Sequence, residues 1–137
     1  VSHPSLLSDA DLRLRKGFER RTLRSGGFPH REHVRLTWGY LHEEPTSAVA
    51  DRLCAALRDY AEHHGAPEKF HHTLTRVWVA IVADAVRQHP DLSFEAMVAA
   101  CPWLLDKEAP ARWYTRARLY SPDARAGFVA PDLEPLP

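Results

Sequence analysis

The chain predicts an all-α fold: a compact bundle of about four main helices, some shorter helical segments and an extended, proline-rich tail. Three observations carry this. Between Gly/Pro breaks, apolar residues recur at spacings of three and four, not two. Those breaks, at Ser25–Pro29, Glu43–Ser47, His64–Pro67, His89–Ser93, Cys101–Pro102, Ala109–Ala111 and Ser121–Pro122, isolate segments of helical length. The 137 residues, 45% of them hydrophobic, suffice for one core and one domain spanning 1–137.

The first helix is expected from Ser8 to about Leu23. Ser8 is a good N-cap, and Asp9 and Asp11 suit the positive end of the helix dipole. The second starts with Pro29 in its first turn and runs to about Glu43. The third starts at Thr46 or Ser47 and sets Val49, Leu53, Leu57, Tyr60 and His64 on one face. Gly65 and Pro67 stop it. The fourth, from about Phe70 to Gln88, is the most apolar; its stripe of Leu74, Trp78, Ile81, Val82 and Ala85 predicts near-complete burial of Leu74, Trp78 and Ile81. Ser93 caps a shorter helix that Pro102 ends near Cys101. Residues 110–119 form another helical segment. The tail, 128–137, is expected to be extended and to pack Phe128, Val129, Leu133 and Leu136 over the bundle.

Eighteen basic and eighteen acidic side chains leave no net charge, which argues against a nucleic-acid binder. The basic stretch from Arg13 to Lys16, with Arg20, Arg21 and Arg24, is diluted by Asp9, Asp11 and Glu19 and reads as a solvated helix face. The longest uncharged run, Ala96–Leu105, is ten residues and contains a proline, so no membrane span is expected. Cys54 and Cys101 lack CxxC spacing, which suits reduced thiols in a cytoplasmic protein.

Nine histidines in so short a chain are the unusual feature. On a wheel of about 100° per residue, His30, Val34, Thr37 and Leu41 share a face of the second helix, flanked by His33 and Tyr40. His71 falls in the apolar stripe of the fourth helix with Thr75 and Trp78, and His72 lies about a quarter turn away. Both groups stand at helix N-termini, where the dipole favours neutral imidazole, the form that ligates metal or accepts a proton. His30, His33, His71 and His72 are therefore candidate ligands for a divalent transition metal, Zn²⁺ or Fe²⁺. Sharing one ion would bring the His33 and His71 nitrogens within roughly 3–4 Å. The alternative is structural: histidines that cap helix starts or bond to Thr37, Thr75 or Tyr40.

Tyr40 is the candidate acid or base, and Lys69 or Arg35 the group to grip a carboxylate or phosphate. Lys69 stands out because the chain has fifteen Arg and only three Lys. Arg35 and Glu32 also read as surface partners. His63 and His64 fall in the last turn of the third helix, where cations are favoured, and His3, His42 and His89 lie at ends and turns.

The runs FPHREHVRLTWGYL, HGAPEKFHHTLTRVW, LLDK and ARAGFVAPDLEPLP resemble a family of small all-helical bacterial proteins with no settled activity. The likeness spans 28–136. Its pattern, H-x-x-H-[VL]-R followed by K-[FY]-H-x-T-[LI]-T, is matched by His30, His33, Arg35, Lys69, His71, Thr73 and Thr75. His72 stands where that pattern more often has Glu. The resemblance implies that the two histidine groups form one site.

The sequence thus predicts a small enzyme, metal-assisted, acting on a small polar metabolite by hydrolysis, elimination or isomerisation in a pocket between the second and fourth helices. The alternative is a non-catalytic ligand- or metal-binding accessory protein. A small-molecule ligand is the expected partner, and the oligomeric state is left open.

Overall fold

The computed structural model describes residues 6–23 and 28–137. The expected break at Ser25–Gly27, together with Arg24 and His3, lies outside them. Among the described residues the fold is all-α, with seven α-helices and no strand. Helix α1 (Asp9–Glu19) is followed by α2 (His30–Leu41), α3 (Thr46–His63), α4 (His72–Gln88), α5 (Phe94–Ala100), α6 (Arg116–Leu119) and α7 (Pro122–Ala126). Short 3₁₀ turns at Pro67–Lys69, Pro102–Leu105 and Ala109–Arg112 connect them.

The caps follow from local chemistry. The Ser8 hydroxyl accepts from the Asp11 amide while the Asp11 carboxylate accepts from the Ser8 amide, a reciprocal capping box. Helix α1 stops four residues short of Leu23, and Arg21 takes a positive φ of 57° just beyond it. Gly65 (φ 70°) turns the chain after α3, a conformation that costs glycine least. The 110–119 segment is not one helix: Trp113 to Thr115 separate its 3₁₀ turn from α6, whose N-cap is Thr115.

Helix α4 is the central element and packs on α2, α3 and α7. One core joins Val34 and Trp38 to Val77, Ile81, Val82, Phe94, Met97 and Tyr114. A second joins Phe18, Leu36 and Tyr40 to Val49, Leu53 and Val79. Ile81 is buried as expected, but Leu74 and Trp78 are only half-buried. They line a cavity, as described below.

The tail beyond α7 carries no helix and is tied to the bundle through its backbone. Thr73, fully buried in α4, donates its hydroxyl to the Gly127 carbonyl (2.7 Å) and accepts from the Val129 amide (3.1 Å). The Tyr114 hydroxyl donates to the Val129 carbonyl at 2.6 Å. Val129 and Leu136 pack on the core, whereas Phe128 and Leu133 are exposed, contrary to expectation. No helix among the described residues is long and apolar enough to cross a membrane.

Candidate functional site

An open cavity of about 570 Å³ lies where α2, α3 and α4 meet the Lys107–Glu108 loop. It falls in the size range of small-molecule pockets. His30, His33 and Thr37 face it from α2, Leu57, Tyr60 and His64 from α3, and Leu74, Thr75 and Trp78 from α4. Lys69, Phe70 and His71 border it ahead of α4, and Lys107, Glu108 and Tyr120 close the far side. The stripes of three amphipathic helices converge here without filling the space, which is why Leu74 and Trp78 stay half-exposed.

The histidines at its wall differ in what their nitrogens do. His30 Nε2 lies 2.9 Å from the Leu104 carbonyl, an acceptor only, so Nε2 carries the proton and donates. The neutral tautomer is thereby fixed and Nδ1 keeps its lone pair. The ring meets Trp78 edge-on, with centroids 4.4 Å apart. Burial lowers the His30 pKa, the Leu104 bond opposes that, Lys107 reinforces it and Asp106 opposes it; the net effect is a pKa below 6.5.

His33 stacks on Phe28 at 3.8 Å with the planes 17° apart. Burial, the neighbouring His30 and Lys107 push its pKa down to about 4, against a backbone hydrogen bond with Phe28. At neutral pH both rings are therefore uncharged.

His71 is placed as a structural residue. It is the N-cap of α4, and its Nδ1 accepts from the Leu74 amide at 3.0 Å. Its Nε2 donates to the Leu119 carbonyl at 2.7 Å. Both nitrogens are spent on backbone groups, so the ring has no lone pair for a shared ion. His72 does not line the cavity. Its Nε2 accepts from Arg76 Nε at 3.0 Å, and its buried Nδ1 has no partner. Among the described residues no three His, Cys, Asp or Glu side chains gather closely enough to hold a metal ion. The four-histidine centre expected from the wheel is thus not assembled: His30, His33 and His71 share a cavity, but only His30 and His33 bring uncommitted ring chemistry to it.

Two further expectations are displaced. Tyr40 is buried away from the cavity, under the guanidinium groups of Arg15 and Arg52 at 4.8 and 5.1 Å. Burial and Glu19 raise its pKa to about 12, against the two arginines. It shares an azimuth with His33, but seven residues is two helical turns, roughly 10 Å along the axis. Arg35 also lies off the cavity: it pairs with buried Asp11 and sits over Phe94 at 5.4 Å. Burial alone would raise the Asp11 pKa, but the Ser8 hydrogen bonds and Arg35 override it and hold it below 3.8. Lys69 does border the cavity.

His64, explained from the sequence as a helix-end cation, and Lys107, which the sequence did not single out, also line the cavity. His64 was already on the apolar face of α3 with Leu57 and Tyr60, and it lies 4.3 Å from the Tyr60 ring with a buried, unpartnered Nε2. Lys107 carried the same signal of scarcity as Lys69. No protein-family model, curated protein or solved structure matches the chain, and the site therefore rests on its own geometry.

Proposed function

We propose that this protein is a small-molecule enzyme of the proton-transfer type, with His30 Nδ1 as general base in the α2–α3–α4 cavity. The carrying observation is the His30–Leu104 hydrogen bond. It fixes the tautomer and ring orientation and leaves a lone pair on Nδ1 of a residue that lines the cavity, the state a general base requires. His33, one turn away and neutral, gives its N–H to the Phe28 backbone, so its other nitrogen acts only as an acceptor for a substrate N–H or O–H. Elimination, isomerisation and hydrolysis all begin with such a base. A divalent metal is not required by this reading, because His71 and His72 bond to protein groups instead.

The base is tested with 5-nitrobenzisoxazole. Removal of its ring C–H proton breaks the N–O bond and releases a coloured cyanophenolate. Wild-type protein should accelerate the ring opening over buffer, with a rate that falls on acidification as His30 protonates, at a lower pH than an ordinary imidazole would. His30→Gln should lose about 10²-fold or more of that rate. A rate equal to buffer, or one unchanged in His30→Gln, would overturn the assignment and leave a cavity that binds without turnover.

A further inference from the structure

We infer that the cavity takes an aryl carboxylate, its acid group held at the mouth by Lys69 and Lys107 and its ring among the aromatic walls. This rests on the cavity being a small-molecule site and deepens that reading.

The cations at the mouth are the first ground. The chain has fifteen Arg and three Lys, yet no described arginine lines the cavity and two of the three lysines do. Arginines elsewhere are largely committed: Arg15, Arg21, Arg31, Arg35, Arg52 and Arg76 each pair with a carboxylate. Among the described residues, neither Lys69 nor Lys107 makes an ion pair or a side-chain hydrogen bond of that kind. Both residues are exposed and line the cavity, and an exposed lysine can grip a carboxylate that remains partly hydrated. Lys107 also depresses the pKa values of both His30 and His33, so its charge reaches the cavity wall. Among the described residues Glu108 is the one carboxylate in the lining, and with the two lysines it leaves one net positive charge. A monoanion balances it.

The walls are the second ground. Phe28, Tyr60, Phe70, Trp78 and Tyr120 surround the space, with Leu57 and Leu74 between them. Aromatic surfaces favour a flat ring through offset or edge contacts. The ligand body therefore lies against Phe28 and Trp78, which already hold the His33 and His30 rings at 3.8 and 4.4 Å. An aromatic acid seated this way sets its side chain beside both histidines, and its charge offsets the effect of Lys107 on them.

The test is calorimetric titration of the full chain with 1-naphthylacetate and with 1-naphthylacetamide, a near-isosteric pair that differs in charge. The acid should bind about tenfold more tightly than the amide. Its affinity should fall severalfold between 0.05 and 0.5 M NaCl while that of the amide holds, since rim charges are screened by salt. Lys69→Gln and Lys107→Gln should each cost the acid about three- to tenfold, and together erase the preference. Glu108→Gln should raise acid affinity about threefold. These positions are exposed, so the variants should fold as wild type, which circular dichroism checks. Equal affinities for acid and amide, with no loss in the double variant, would overturn the carboxylate assignment and leave the cavity as a neutral-ligand site. No heat with either compound, and no shift of the Trp78 indole resonance, would overturn both the assignment and the small-molecule reading.

Discussion

His71 and His30 stand at the starts of two neighbouring helices, and both border one cavity, yet their nitrogens are used in opposite ways. His71 caps α4 with one nitrogen and ties down the Leu119 carbonyl with the other. His30 fastens α2 to the Leu104 carbonyl with Nε2 and leaves Nδ1 uncommitted. Position at a helix N-terminus favours a neutral ring in both cases. What separates scaffold from chemistry is the number of ring nitrogens left after the backbone has been satisfied. Replacing each in turn is the sharpest way to break the comparison.

The largest effect is expected at His71. His71→Ala removes an N-cap, about 0.5–2 kcal/mol, and strands a buried carbonyl, about 1–3 kcal/mol. Chemical unfolding should therefore show a loss of about 2–4 kcal/mol, and His71→Asn should recover the cap share. His30→Ala removes no side-chain cap but strands the buried Leu104 carbonyl, so it should cost about 1–3 kcal/mol while removing the proton-transfer activity. Equal stability losses at the two positions would erase the distinction drawn between them.

Acidification should show the same contrast through His33. Its folded pKa of about 4 lies below the ordinary 6.5, so the native state binds fewer protons than the unfolded chain within that interval. The contribution is fully present above pH 6.5 and is lost progressively as pH falls toward 4. His30 and His71 shift in the same direction. Urea midpoints should drop between pH 7 and pH 5, and less steeply in His33→Gln. A midpoint independent of pH over that range would contradict the burial of these rings. Asp11, held below 3.8, acts at lower pH and does not contribute to this window.

The helices were legible in the sequence because their signals are local: Ser8, Ser93 and Gly65 mark ends through neighbouring backbone groups. The histidine-bearing cavity was half legible. A wheel gives the azimuth of a side chain, so it put His30, His33, His71 and His64 on inward faces. It gives neither height along the bundle nor the partner supplied by a distant loop. Tyr40 was misplaced by height. His71 was misread because its Leu119 partner lies 48 residues away, and Arg35 because Asp11 lies 24 residues away. The same blindness made Trp78 a core residue, although three converging stripes leave a gap beside it.

Trp78 gives a smaller test of the gap. A fully buried Trp would lose about 3–5 kcal/mol on truncation to Ala. Half-buried against an open cavity, Trp78→Ala should cost less, about 1–3 kcal/mol, because the removed ring already faces solvent on one side. The same substitution should weaken 1-naphthylacetate, since it deletes one aromatic wall. A loss at the full-burial value with ligand affinity unchanged would mean that the cavity is closed in solution.

The smallest effect is expected at Tyr40. Its ring fills the second core between Arg15 and Arg52, and Tyr40→Phe keeps the ring while removing only the hydroxyl. Glu19 is the carboxylate that acts on the hydroxyl, and losing the hydroxyl should cost about 0.5–1.5 kcal/mol. It lies outside the cavity lining, and the rate of 5-nitrobenzisoxazole ring opening should stay within about twofold of wild type, as is ordinary for a distant surface-preserving change. The raised pKa of about 12 keeps the phenol protonated throughout the working range, so no inflection in the pH–rate profile should disappear with it. A tenfold rate loss in Tyr40→Phe, at unchanged stability, would mean that two helical turns do not separate this residue from the chemistry of His33, and that the azimuth read from the sequence was the better guide.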